Sequence, residues 1–331
     1  MKIGKSIVFG YFGRDNYGDE IMLKEFLKIY KKNISVVVSN ELKYKNTKTI
    51  TYISHSRKLL RFLSILRSNT FIWLGGTCLY SNKGLFSLFL NAFISKIFFN
   101  KVVFVGIGIG IIDNKTDHYL IKAVLMFSNS IYFRDISSLE KAKNIYNSSK
   151  YKIIPDLVNL HKVSIHEKVA KNLIINITKD FNCNYFENII DIVYKVNDKV
   201  DEIVLLPAEL GFKGDNKTLN EIYIKYKSKF PKMRLSCSLN ANDINNEILQ
   251  AKFYIGMRLH LLFVCDLMQI PSIGINYSPK ITYYNNEVGG AVERILNVNQ
   301  KISSIEFQTV ENIDDTVKKN RRLIKNIINN I

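Results

Sequence analysis

The sequence predicts an α/β protein built from two doubly wound, Rossmann-like domains facing a cleft. Short apolar runs recur between longer helical patterns from residue 6 to residue 154, and a second such series runs from 173 to 275. Strands that alternate with helices in this way form parallel sheets. Several of the runs end in glycines or charged turns: GRDNYGDE, Gly75-Gly76, GIGIG at Gly106 to Gly110, Arg134, and the turn Arg258 to His260. A length of 331 residues suits about two domains.

In the first series, residues 6–12 read as a strand entering GRDNYGDE, a turn-forming stretch. Asp19 is placed to cap the next helix, whose apolar face is Leu23, Phe26, Leu27 and Tyr30. A strand at 34–38, a basic helix at 56–67 and a strand at 71–74 ending in Gly75-Gly76 follow. Next come an apolar helix from Leu85, a strand at 102–105 closed by GIGIG, and a helix at 118–127. A strand at 131–133 runs into Arg134-Asp135 and a helix at 137–146; a short strand at 151–154 ends the series. The polar stretch 159–171 reads as a linker, dividing an N-terminal domain, 1–160, from a C-terminal domain, 161–331. Strands of the second series fall at 173–177, 203–206, 233–236, 252–255 and 272–275. From Asp314 a terminal helix with acids first and bases later matches the helix dipole and is assigned to the second domain.

With 47% hydrophobic residues the chain can bury two cores, and 23% charged residues is ordinary. The formal charge of +18 is not. Basic excess suits nucleic acid, anionic lipid or an anionic substrate. Lysine dominates it along the whole chain, without an RNP motif, zinc-finger spacing or basic heptads, so nucleic acid is not an expected partner. Cys78, Cys183, Cys237 and Cys265 form no C-x-x-C, which argues against a zinc site or redox pair. The start, MKIGKSIVFG, has too short an apolar run for a signal peptide, so a cytoplasmic location is expected. Residues 85–99, LFSLFLNAFISKIFF, carry Asn91 and Lys96 and fall short of the ~20 apolar residues of a membrane span. A core helix is the first expectation there, and peripheral attachment to an anionic membrane the second.

The richest stretch is YIGMRLHLLFVCDLMQIPSIGINYSPK, residues 254–280. A short apolar strand ends at Gly256, and from Met257 to Gln269 the chain is nearly all apolar, as a buried helix would be. Arg258 and His260 thus stand where a strand's carboxyl end meets a helix's first turn, the place where open α/β sheets bind ligands. Helix N-termini favour anions, and Arg258 adds a planar cationic fork for carboxylate or phosphate. Lys280, after Ser278-Pro279, brings an ammonium within reach of a phosphate or is simply solvated. Arg134 either joins such a site or pairs with Asp135. An arginine and a histidine opening a helix also serve as plain hydrogen-bonded structure. A small, strongly anionic ligand is the expectation.

Competing motifs are weak or missing. GIGIG lacks the third glycine of a dinucleotide loop, Ile111 standing in its place, so close backbone approach in the cleft is the better reading. No phosphate-binding P-loop, G-x-S-x-G or H-E-x-x-H occurs. His55, His118, His161 and His166 lack metal-ligand spacing.

Taken in order, GYFGRDNYGDEIMLK, LGGTCLYS, GIGIG, FRDISS and GMRLHLLFVCDLMQIPSIGINYSPK resemble the polysaccharide pyruvyl transferase family over most of the chain. Thr77 stands where a third glycine is common, GIGIG replaces G-Q-G-I-G, and PDLVNL is a weak D-P-A segment. The resemblance implies a GT-B-like fold, phosphoenolpyruvate as donor substrate with no cofactor or metal, and a sugar of a cell-surface polysaccharide, free or lipid-linked, as acceptor. It implies that Arg134, Arg258 and His260 are donor and catalytic residues, with Leu259 and Lys280 matching beside them. His260 is then the proton donor. Asp19 would orient or deprotonate the acceptor unless it only caps a helix, Asn16 would hydrogen-bond it, and Gly76 would line the site. The N-terminal domain would carry the acceptor side and part of the donor site, the C-terminal domain the rest of the donor site. Two other readings stay open: a nucleotide-sugar glycosyltransferase of the same architecture, and a non-catalytic glycan-binding protein.

Overall fold

The computed structural model describes residues 5–40, 43–98, 100–162, 170–210, 214–238, 240–278, 280–298, 306–311 and 313–331. His166, Pro279, the last residue of the 85–99 segment and most of the expected linker lie outside these. The chain forms two compact units. Unit 1 comprises Met1–Arg14, Asp19–His161 and Asn320–Ile331; unit 2 comprises Asp15–Gly18 and Lys162–Lys319.

Unit 1 holds strands β1 (Lys5–Phe9), β2 (Asn33–Val38), β3 (Ile50–Ser54), β4 (Thr70–Leu74), β5 (Thr77–Leu79), β6 (Lys101–Ile109), β7 (Ser130–Phe133) and β8 (Tyr151–Ile153). They pair in the order β3-β2-β1-β4-β6-β7-β8, with β5 added against β6, and every pairing is parallel. Helices α2 (Lys58–Leu66), α3 (Leu85–Ile97), α4 (Lys115–Phe127) and α5 (Ile136–Ile145) connect the strands. Helix α1 (Tyr17–Ile29) joins β1 to β2, and the unit boundary passes through its first turn. Strands such as NISVVV and TFIWL are buried almost throughout, as parallel strands covered on both faces must be.

Among the described residues, unit 2 repeats the plan with six parallel strands: β9 (Asn172–Asn176), β10 (Ile203–Leu205), β11 (Met233–Leu235), β12 (Ala251–Gly256), β13 (Ser272–Asn276) and β14 (Ile295–Asn297). Their order is β11-β10-β9-β12-β13-β14. Helices α6 (Ile190–Asn197), α7 (Asn216–Tyr226), α8 (Ala241–Leu249), α9 (Leu259–Leu267) and α10 (Lys280–Glu287) intervene, and α11 (Ile313–Asn329) follows. In each sheet the strand order reverses once, between β1 and β4 and between β9 and β12. At such a switch point the two connections leave in opposite directions and open a crevice at the strands' carboxyl ends.

The structure corrects several expectations. The terminal helix does not belong wholly to the second half: Asn320–Ile331 goes to unit 1, because Ile324, Ile328 and Ile331 are buried with Val36, Ile72 and Val103. Arg321 Nε also donates to the Asn159 carbonyl at 2.6 Å. Conversely Asp15–Gly18, from the first loop, goes to unit 2. GIGIG is not a loop after a strand, since β6 runs on to Ile109. Gly106, at φ +67°, takes up a register shift opposite β7, and Gly108 pairs with Thr77 of β5. Close backbone approach is thus the role of these glycines, and the approaching segment is β5. Asp19 is not the cap of α1. The helix begins at Tyr17, and the Asn16 side chain accepts from Gly18 N at 3.1 Å in the capping position. Asp19 instead lies in the first turn, where a carboxylate complements the dipole.

Candidate active site

The switch point of unit 2 collects the charged residues. Gly256, the last residue of β12, is a glycine for a steric reason: a Cβ there would fall 2.1 Å from the Tyr254 hydroxyl. Buried Asn176, at the end of β9, donates to the Leu206 carbonyl at 2.8 Å and accepts from Arg258 N at 3.2 Å. This fixes the residue that caps α9.

The Arg258 guanidinium is not an open fork. Its Nε and Nη2 donate to the two oxygens of Asp215, at 3.2 and 2.5 Å, and Nη2 also donates to Glu209 at 2.9 Å. Burial opposes the charge, but Asp215 and Glu209 outweigh it and hold the guanidinium above its ordinary pKa. Asp215 is fully buried and further accepts the backbone N–H groups of Lys179, Ala208 and Glu209 at 3.2, 3.1 and 3.1 Å. Its lone pairs are therefore well satisfied, as a buried carboxylate requires. The other oxygen of the Glu209 carboxylate pairs with Lys179. Two cations and two carboxylates form one network at the carboxyl end of the sheet.

The Asp15–Gly18 segment is tied to the same place. Asn16 makes an antiparallel bridge with Glu209, Tyr17 N donates to the Ala208 carbonyl at 2.9 Å, and Leu210 N donates to the Asp15 carbonyl at 2.8 Å. The Tyr17 hydroxyl reaches Asn245 Oδ1 at 2.5 Å. Gly18 lies close against the His260 imidazole: a Cβ on it would fall 1.8 Å from Nδ1 and 2.4 Å from Cε1. Only glycine leaves room for the ring in this position.

Helix α9 carries His260 and is largely enclosed, with residues 259 and 261–266 all buried. Leu259 is packed into the core, so its side chain positions the turn. Farther along, Asp266 meets fully buried Arg294 in a two-pronged pair at 2.7 and 3.0 Å and accepts from the Tyr284 hydroxyl at 2.8 Å. Burial pushes the Asp266 carboxyl up, against the pull of Arg294. Lys280 opens α10, donates to the Tyr277 hydroxyl at 2.6 Å and lies 4.7 Å from that ring's centre.

Unit 1 brings together Arg134, Gly76 and Thr77. Arg134 follows β7, and its Nη2 donates to Thr77 Oγ1 at 2.7 Å. Asp135 caps α5 through Ser138 N and stands 3.7 Å from Arg134 Nε. Buried Nε makes no hydrogen bond among the described residues. Gly108 allows the guanidinium in, since a Cβ there would come within 3.3 Å of both Nε and Thr77 Oγ1. Gly76, at φ +75°, presses on the Tyr11 ring. Asp19 also belongs to unit 1, whereas Asn16, Arg258, His260 and Lys280 belong to unit 2. Among the described residues no group of His, Cys, Asp and Glu could hold a metal ion.

Sequence reading missed Lys179, Glu209 and Asp215. The usable signal was their position just after β9 and β10, at the same sheet edge as Arg258; no local motif marks them.

A family model described as polysaccharide pyruvyl transferase matches residues 16–279. Among curated proteins, comparison by sequence gives no match. Solved structures are similar in fold at low identity. The UDP-GlcNAc 2-epimerase from Methanocaldococcus jannaschii is 14% identical, with a TM-score of 0.55 over 98% of this chain and 93% of that one. The UDP-GlcNAc 2-epimerase from Neisseria meningitidis, bound to UDP-GlcNAc, is 10% identical, with a TM-score of 0.56 over 99% and 98%. An OtsA apo structure is 10% identical, with a TM-score of 0.54 over 98% and 95%. The fold is GT-B-like.

Proposed function

Because the chain belongs to the polysaccharide pyruvyl transferase family, we propose that it moves the pyruvyl group of phosphoenolpyruvate onto two hydroxyls of a sugar in a cell-surface polysaccharide or its lipid-linked precursor. The observation that supports this most is the Arg258-Leu259-His260 turn, which stands inside the matched region and at the switch point of unit 2. A donor carrying carboxylate and phosphate suits cations at strand ends, and Arg258, Lys280 and Arg134 are the candidates for holding it.

The chemistry balances without a metal or an oxidant. A proton is added to the methylene carbon of the enol, which becomes a methyl group, and positive charge develops on the adjacent carbon. One sugar hydroxyl bonds to that carbon and gives up its proton. The carbon–oxygen bond to phosphate then breaks, and a second hydroxyl closes the ketal as its proton leaves. The products are a pyruvate ketal and inorganic phosphate. Histidine can give and take protons near neutral pH, which makes His260 the candidate donor of the first proton. Gly18 would serve this step by leaving the ring room to take this position.

The arrangement around Arg258 sets a condition on donor binding. Asp215 is buried and held by three N–H groups, so it stays, whereas Glu209 is partly exposed and shared with Lys179. An incoming anion would displace Glu209 and take its place between Arg258 and Lys179.

Thermal denaturation with phosphoenolpyruvate and with UDP-sugars tests the reading. A ligand at about 100 times its Kd stabilises the folded state by about 2.7 kcal/mol. Selective stabilisation by phosphoenolpyruvate, followed by phosphate release with a sugar acceptor, is the expected result. Stabilisation by UDP-sugars alone would favour a glycosyltransferase, and by neither a glycan-binding protein.

A further inference from the structure

Helix α3 is apolar on two opposite faces, and only one of them is covered. Leu85, Leu88, Ala92 and Ser95 are buried against the sheet. Phe86, Leu90, Phe93 and Ile97 recur at helical spacing on the other side and stay 60, 42, 40 and 52% exposed. The neighbouring α2 continues the surface: its only buried residue is Ile65, while Leu59 is 70% and Leu60 46% exposed. Phe62 of α2 and Phe98 meet edge to face at 6.3 Å, so the two helices present one patch. A contiguous apolar patch of this kind on a water-facing surface marks an interaction site.

Charge says what covers it. Residues 42–112 contain no Asp or Glu. Arg57 and Arg67 flank α2 and Lys58 opens it, while Lys83 precedes α3 and Lys96 lies in its last turn. The nearest acid in sequence, Asp113, is held by Ser81 at the amino end of α3, where its backbone N donates to Ser81 Oγ at 2.8 Å. A second copy of the chain would set like charges against each other across the patch. An anionic bilayer offers both an apolar interior for the phenylalanines and leucines and phosphates for the rim. Among the described residues no helix is long and apolar enough to cross a membrane, so the contact would be with one leaflet.

We propose that the α2–α3 face of unit 1 is a docking surface for anionic lipid bilayers, with the apolar stripe entering the headgroup boundary and the basic rim on lipid phosphates. This does not rest on the donor reading.

The test is flotation with vesicles of phosphatidylcholine alone and of an equal mixture with phosphatidylglycerol, at low and high salt. Binding to the mixed vesicles at low salt and its loss at high salt are expected. Leu59→Gln/Phe86→Gln/Ile97→Gln should lower partition at least about tenfold. Lys58→Gln/Arg67→Gln/Lys83→Gln should lower it roughly 100-fold. The control Lys195→Gln/Lys199→Gln/Lys217→Gln removes the same charge from exposed sites in unit 2 and should change it about threefold at most. Circular dichroism confirms that each variant is folded. Failure of the natural chain to float with mixed vesicles overturns the proposal, including the case in which it is a dimer in solution. Equal loss in the control, or no loss in the apolar variant, overturns it too, by assigning binding to the whole-chain charge.

Discussion

Arg258 and Arg134 both follow parallel strands in sheets of similar order, yet their surroundings differ in kind. Arg258 is compensated by two carboxylates, one fully buried, and shares one of them with Lys179. Arg134 has a threonine hydroxyl as its closest partner, with Asp135 at 3.7 Å. Topology brings a side chain to a strand end. The electrostatics there come from loops distant in sequence. Removing a partner should therefore cost much more at Arg258 than at Arg134, and the function of the two turns should separate in the same way.

The largest effect is expected at His260, the neighbour that only the Arg258 turn has. His260→Gln keeps hydrogen bonding but removes the titratable group, so transfer should fall about 10²- to 10⁴-fold with donor affinity nearly unchanged. Phosphate release and calorimetric donor binding, measured separately, check this. A variant with near-normal transfer would make His260 structural.

Next comes the buried carboxylate. Asp215→Ala leaves Arg258 with Glu209 alone and takes the acceptor from three backbone N–H groups, and should lower unfolding free energy by about 3–5 kcal/mol. Thr77→Val, the matching change at Arg134, removes one hydrogen bond and should cost about 1 kcal/mol. Trp73, the only tryptophan, lies in unit 1. Its fluorescence therefore follows unit 1, while calorimetry follows both. Equal costs at the two sites would erase the contrast between them.

Glu209→Gln sharpens the comparison further. It lifts one negative charge from Arg258 and Lys179 and should tighten phosphoenolpyruvate binding roughly fivefold, the scale of one partly exposed ion pair. Weaker binding would make Glu209 a residue that positions Arg258.

A further effect is a pH dependence that arises in unit 1. Burial, with Arg61 and Arg14 nearby, pushes the His55 imidazole down to about 4 from its ordinary 6.5. The folded state therefore keeps His55 neutral where the unfolded chain takes up a proton. Stability present above pH 6.5 is lost as pH falls towards 4. The midpoint followed by Trp73 should drop across that window, and His55→Gln should flatten part of the drop.

Much of this was legible in the sequence, for physical reasons that also set the limit. Buried parallel strands are short apolar runs, and the gap between them must hold a helix, so both series could be read. Helix α9 could be placed because 257–269 is nearly all apolar and holds neither Gly nor Pro. The same reasoning predicted a core helix at α3, and half of it is: apolar content says a face can be buried, not that the fold supplies a cover. The partners of Arg258 were invisible because Asp215 lies 43 residues away and Glu209 lies 49, with no period linking them. The fit of Gly18 to His260 joins two motifs that were each legible alone. The cap was misplaced by three positions, because Asn16 and Asp19 are both good caps and the bridge from Asn16 to Glu209 decides between them.

The assignment of Asn320–Ile331 to unit 1 bears on how the protein is made. Asn320–Ile331 closes a core whose other members are translated first. A ribosome delivers Val36, Ile72 and Val103 early, but Ile324, Ile328 and Ile331 only after the whole of unit 2 has emerged. The half that is synthesised first is thus the half that finishes folding last. Until those three isoleucines have emerged, the apolar surface that they cover in unit 1 lacks that cover.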